Sequence, residues 1–406
     1  MSAGSKDVPE PAAIHRGDEC KAAAVACGAH ALHDGYTDLI YVMLPIWQQE
    51  FGLGYAALGV LRALFSGTMA GFQVPSGLAA ERLGAAVVLA SGTAMTGAAY
   101  CLAGASAGLA PLALALFLGG LGASTQHPLG SALMARAFAG ARSMKAIGSY
   151  NFAGDIGKMA VPATASVMLI ALSWRPVLSF LGALGIAAAA LILWLTPRYG
   201  PEPARGSAGA HIAAGIHIPR RQMAFPVLLA IGMLDSATRM GFLLFLPFVL
   251  TGKGASLPTV GVGLTLVFAG GAVGKLVCAF IGDRIGAMAT VWLTESLTAL
   301  LIAALLPLSL ELGLLLLPII GIALNGTSSV LYGSVPDLVA PERRARAFGV
   351  FYTGTIGAGA LAPALYGLVA DRLGVPKTLL IAAAAVLVTL PLSLLLRDAL
   401  ARRVPV

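Results

Sequence analysis

Twelve continuous apolar runs, each about 20 residues long, follow one another along the chain, and no other feature constrains the fold as much. They lie at approximately 22–47, 55–78, 86–107, 110–134, 147–172, 176–196, 223–250, 257–281, 287–307, 312–336, 347–369 and 376–396. About 20 apolar residues in a helix cross the hydrocarbon layer of a bilayer. A helix also satisfies every backbone polar group where no water is present. The runs are continuous and do not alternate at period two, which excludes a β-barrel. Only 11% of residues are charged, against the roughly 25% that cover a soluble domain. Most of the surface is therefore expected to face lipid.

The formal charge of +8 does not indicate nucleic acid. With the N-terminus inside, 18 of the 26 Lys and Arg residues fall in cytoplasmic loops and tails, and four fall outside. That asymmetry is a topology signal and leaves no basic stripe. Both termini are expected in the cytoplasm of a bacterial-type inner membrane. Residues 1–21 carry acids and bases and read as a cytoplasmic tail, not a signal peptide. Cys20, Cys27, Cys101 and Cys278 lack CxxC spacing and read as packing residues. The longest polar gap, 197–222, reads as a cytoplasmic linker between halves 22–196 and 223–397, with a second tail at 398–406.

The halves repeat. Gly77-Leu78-Ala79-Ala80-Glu81-Arg82-Leu83-Gly84 is answered by Ala279-Phe280-Ile281-Gly282-Asp283-Arg284-Ile285-Gly286. Asp34 to Asp38 in run 1 is answered by Asp235 to Arg239 in run 7, and Gly154-Asp155-Ile156-Gly157 by Gly354-Thr355-Ile356-Gly357. Three matches in chain order at one offset indicate two related bundles. The expected fold is all-α integral membrane, with twelve transmembrane helices as two pseudo-symmetric six-helix bundles.

The acidic-Arg-x-Gly loops resemble the signature of the major facilitator superfamily. A further copy ends in Asp371-Arg372-Leu373-Gly374, and a basic loop, Pro341-Glu342-Arg343-Arg344-Ala345-Arg346, is also typical. Within the superfamily the first half resembles the fosmidomycin-resistance branch, through His30-Ala31-Leu32-His33-Asp34 and His127-Pro128. It departs from that branch at Leu129 and Ala132, where Glu and Arg are usual, and at Asp155, where Asn is usual, and it adds Lys158. The resemblance implies a transport fold but not a particular substrate. It also implies that Gly77, Glu81, Arg82 and Gly84, with Asp283, Arg284 and Gly286, latch conformations on the cytoplasmic side.

An ionised group at mid-membrane costs about 2.5–3.5 kcal/mol on insertion scales, so each one in a run needs a partner or a watery cavity. His30, Asp34, Asp38 and Tyr41 form one stripe of run 1, with His33 beside it. Carboxylates beside imidazoles suit a proton-coupling site, here Asp34, Asp38, His30 and His33. A static His–Asp pair that fixes packing is the alternative. Asp235 and Arg239 are spaced for a helical salt bridge or for anion binding, and Asp155 and Lys158 for mutual neutralisation or a cavity role. Lys275 is expected to meet either a substrate anion or Glu295. Arg62 is expected to snorkel outward.

Arg239, Asp235, Lys158, Asp155, Lys275, Glu295, His127 and Tyr41 are thus the candidate substrate-binding residues. No cofactor is expected, and neither a nucleotide-binding loop nor a nucleophile–base pair supports an enzyme. The leading expectation is a functional monomer that acts as a proton-driven antiporter. It would export a small anionic or amphiphilic compound by alternating access. The alternatives are a proton symporter importing an organic acid or other nutrient, and a transition-metal ion transporter.

Overall fold

The computed structural model describes residues 16–138, 141–196, 223–339 and 343–397, with the side chains of 16, 141, 143, 144, 279, 283 and 345 excepted. The expected linker, the tails at 1–15 and 398–406, and the start of the basic loop at 341–342 lie outside the described residues. Within them the chain forms fifteen helices and no strand. These are α1 (Arg16–Phe51), α2 (Tyr55–Gly71), α3 (Gln73–Leu83), α4 (Ala85–Gly104), α5 (Leu109–Ala123), α6 (Gln126–Ala137), α7 (Ala141–Met168) and α8 (Trp174–Leu195). The second half holds α9 (Ala224–Gly252), α10 (Leu257–Ile285), α11 (Ala287–Leu305), α12 (Leu310–Leu338), α13 (Arg344–Leu373), α14 (Val375–Leu387) and α15 (Thr389–Leu394).

Three interruptions reduce fifteen helices to twelve rods, and each lies four residues before a proline. The α2–α3 break at Gly71 precedes Pro75, the α5–α6 break at Ser124 precedes Pro128, and the α14–α15 break at Leu387 precedes Pro391. A proline removes one backbone donor and its ring clashes with the carbonyl four residues earlier. At the α5–α6 break, Ser124 Oγ donates to Leu121 O at 2.7 Å and Thr125 Oγ1 to Gly122 O at 3.0 Å, so side chains take over freed carbonyls.

Nine of the rods are long and apolar enough to cross a membrane, and the α2–α3 pair, bent by 45°, adds a tenth. The other two, α1 and α7, are long enough at 36 and 28 residues but carry too much polarity to pass. They are the rods that hold most of the candidate site.

The core has an unequal shape across the bilayer. On the side away from the chain's start (the far side), one cluster joins both halves, running from Ile40 and Trp47 through Phe65 to Phe245, Leu264 and Leu379. On the near side each half keeps its own cluster. One is built around Ala26, Leu133 and Tyr150, the other around Ile231, Val335 and Phe351. The halves are joined on the far side and separate on the near side.

The three acidic-Arg-x-Gly copies share a backbone device. Gly84, Gly286 and Gly374 have φ of 90°, 89° and 80°, a left-handed region that strains other residues. Each glycine ends one helix and starts the next. In the third copy, on the far side, Asp371 crosses between the halves. Its Oδ1 accepts from Tyr55 N at 2.6 Å and its Oδ2 from Ala56 N at 3.0 Å, which caps α2. Glu81, Arg82 and Arg284, on the near side, are exposed and make no ion pair among the described residues. Gly77 sits half-buried in α3. The Asp283 side chain lies outside the described residues.

Candidate functional site

The stripe expected on the first run is formed by α1, which buries His30, His33, Asp34, Asp38 and Tyr41. Around Asp34 the structure gathers three imidazoles and an ammonium. Asp34 Oδ2 lies 3.6 Å from His30 Nε2 and 3.2 Å from Lys158 Nζ, and its Oδ1 lies 3.8 Å from His33 Nε2. His127, in the first turn of α6 after the proline break, completes the cluster. Its ring centroid is 5.3 Å from that of His30 and 4.9 Å from that of His33. Tyr150 stacks on His30 with centroids 4.0 Å apart. Nothing in the sequence pattern indicated Tyr150, which sits on α7 two turns from Lys158.

The crossing of α1 and α7 depends on glycine. A Cβ on Gly154 would stand 2.5 Å from His30 Nε2 and 2.6 Å from Asp34 Oδ2. The bare backbone there lets the two acidic helices approach closely.

Lys158 has two acids within reach. Its Nζ is nearer Asp34 than its i, i+3 neighbour Asp155, which is 3.8 Å away. Asp155 is instead held by Lys275 from α10, which donates to Oδ1 at 2.5 Å across the two halves. The expected Lys275–Glu295 pairing is therefore not made, because Lys275 points to the other half. Asp34, Lys158, Asp155 and Lys275 form one alternating chain of charge that ends on the opposite half.

Further along α1, Asp38 has no ion pair within 4.0 Å among the described residues. Tyr41 donates to Met240 Sδ of the other half at 3.4 Å. Arg62 does not snorkel. It is 3% exposed, its guanidinium lies 4.9 Å from the centroid of the Tyr41 ring, and it donates to Ser66 Oγ. The helix geometry turns it inward, where a buried ring face offers more than a distant headgroup layer.

In the second half Asp235 and Arg239 form the expected i, i+4 pair, but loosely, at 4.0 Å. They line a small pocket with Gly232, Ser328, Tyr332 and Thr355. Glu295 lies on α11, 1% exposed, with Oε1 unpartnered and no ion pair among the described residues. The charged clusters of the two halves are thus separate, and among the described residues only Lys275 reaches from one half into the other's.

A sequence profile described as Major Facilitator Superfamily matches residues 26–234 and again 227–405, one match to each half, and together they span nearly the whole chain. The chain belongs to the Major Facilitator Superfamily. As a superfamily member it is a multi-pass membrane protein that carries a small-molecule substrate by secondary transport, and it is not an enzyme. The "Fosmidomycin resistance protein" of Escherichia coli (strain K12) is 25% identical over 350 residues, covering 85% of each chain. Among solved structures, a bacterial homologue of the human lysosomal transporter Spinster superposes in two forms. Its inward-facing, occupied form gives a TM-score of 0.78 at 15% identity, covering 95% of this chain and 98% of that one. Its inward-facing, unoccupied form gives 0.76 at 18% identity with the same coverage. The nucleoside transporter NupG gives 0.76 at 15% identity, covering 93% and 99%. The superfamily fold expected from the repeated loops is the fold observed.

Proposed function

We infer that this superfamily member is a proton-driven antiporter exporting a small anionic or amphiphilic compound from a bacterial cytoplasm. The observation that carries this reading is the position of Lys158 between two acids, one of which ties the halves together. Protonation of Asp34 removes one acid. The one acid then left within 4.0 Å of Lys158 among the described residues is Asp155, 3.8 Å away, which Lys275 already occupies. Two ammoniums that share the one Asp155 Oδ1 repel each other across it. That repulsion loosens Lys275 and releases the link between the halves. An anion that binds Lys275 in place of Asp155 releases the same link without the proton, so proton and substrate carry alternate halves of the cycle instead of travelling together. Arg239, at the end of its loose pair with Asp235, extends the cationic path.

The export direction is supported by the relative named for fosmidomycin resistance. The near-side excess of Lys and Arg supports cytoplasmic termini, and a complete set of charges within one chain supports a functional monomer.

The test is transport by purified protein in proteoliposomes, with a substrate chosen from a thermal-stability screen of anionic compounds. Asp34→Asn is expected to abolish movement driven by a pH gradient while leaving substrate counterflow intact. Unchanged gradient-driven movement in Asp34→Asn would overturn the coupling assignment. Accumulation with the proton gradient would replace export by symport.

A further inference from the structure

We propose that His33, Asp34 and His127 form a binding site for one divalent transition-metal ion of the zinc class. Each residue offers one ligand atom, and the three atoms lie within 4.8 Å of one another. The spacings suit a shared ion better than direct hydrogen bonds. His30 Nε2 and His33 Nε2 stand 3.6 and 3.8 Å from the Asp34 oxygens, beyond hydrogen-bond length. Two ligands of one tetrahedral ion, with bonds of about 2.1 Å, sit about 3.4 Å apart. A second observation points the same way. His33 is 4% exposed, yet its Nε2 has no hydrogen-bond partner, and neither does the buried His30 Nδ1. Orphaned nitrogens in a membrane interior are costly, and an ion would occupy the His33 lone pair.

Two imidazoles and a carboxylate are a borderline donor set that favours Zn²⁺, Co²⁺ or Ni²⁺ over Mg²⁺ or Ca²⁺. His127 is fixed by the proline break that starts α6, and His30 stands 3.6 Å from the other Asp34 oxygen, outside the three-residue set. The groups facing the site from α7 are Tyr150, Asp155 and Lys158. Lys158 is the competitor, because its ammonium is 3.2 Å from Asp34 Oδ2. An incoming dication displaces it toward Asp155. Lys158 therefore weakens metal binding, a consequence that a static His–Asp packing cluster does not share.

The site rests on geometry and not on Asp34 carrying protons. Failure to bind metal would leave the transport result standing, and failure of Asp34→Asn in transport would leave the metal result standing. The experiment is a Co²⁺ titration of purified, tag-free protein by visible absorption, followed by displacement with Zn²⁺. One Co²⁺ per chain with the intense bands of a tetrahedral site is expected. His33→Gln and His127→Gln should each weaken binding by at least about tenfold. Lys158→Met should tighten it by about tenfold. That gain does not depend on a variant losing function through misfolding. Absence of tetrahedral bands overturns the site. So does binding that persists in both His variants, which would place the ion on His211 or His217 in the linker. So does a Lys158→Met affinity equal to that of the parent.

Discussion

Asp371→Ala isolates the contact that holds the far side shut. Asp371 belongs to α13, but its two oxygens accept from the first two backbone N–H groups of α2, at 2.6 and 3.0 Å. Capping side chains contribute about 1 kcal/mol on replacement by Ala, within a range of about 0.5–2. A negative charge at a helix start adds about 0.3–1 kcal/mol at exposed positions. The loss is therefore about 1–2 kcal/mol, all of it from the state in which α2 and α13 touch. At about 1.4 kcal/mol per decade, the ratio of far-side-open to far-side-closed molecules rises about five- to thirtyfold. Asp371→Asn keeps one acceptor oxygen and loses the second together with the charge, so its effect should be intermediate. The readout is a spin-label pair at Leu83 and Ile285, which are 65% and 51% exposed at the near-side helix ends of opposite halves. Opening the far side brings these ends together. The short-distance fraction should rise in Asp371→Ala and rise less in Asp371→Asn. Identical distance distributions for Asp371→Ala and its parent would refute the capping argument.

Gly154→Ala should destabilise the protein by about 1–3 kcal/mol, because the added methyl meets His30 and Asp34. Gly148→Ala on the same helix meets nothing within 4 Å and should leave the melting temperature unchanged or raised. Lys275→Met should lower thermal stability, and adding Asp155→Asn should recover part of the loss, giving a coupling of about 0.5–3 kcal/mol in a double-mutant cycle. Glu295 is buried with Oε1 unpartnered and no ion pair among the described residues, so Glu295→Gln, which removes the charge at nearly the same volume, should leave the melting temperature unchanged or raised.

The rods and the family were legible because lipid leaves few options. A chain that crosses hydrocarbon must write each crossing as an apolar run, and duplicated bundles leave paired motifs. The bends were less legible. Pro75, Pro128 and Pro391 interrupt helices, whereas Pro45, Pro162 and Pro247 sit inside continuous ones. Ser166 Oγ donates to Pro162 O at 2.8 Å inside unbroken α7, just as Ser124 and Thr125 donate to carbonyls at the α5–α6 break, so a nearby side-chain donor does not by itself mark where a helix stops. In the site, spacing along a helix was readable and partners across helices were not. Asp155 and Lys158 are i, i+3, but which charge each one meets depends on the rotation of α7 against α1 and α10. The rotation of α2 turned Arg62 inward, and that of α10 gave Lys275 to Asp155 instead of Glu295. His127 was visible only as a motif, and its place beside His30 and His33 comes from tertiary packing.

The polarity of α1 and α7 has a consequence for biogenesis. Helix α1 leaves the ribosome before α7 and carries Asp34, Asp38 and two histidines, and the countercharge for Asp34 is Lys158, more than a hundred residues later. On its own α1 partitions weakly into lipid, because its acids have no cation beside them. It must wait at the translocon, or lean on α2 and α4 to α6, until α7 arrives and the pair can enter together. Nascent chains truncated before α7 are therefore expected to leave α1 loosely integrated and open to extraction by alkali. Chains that extend past α8 should retain it.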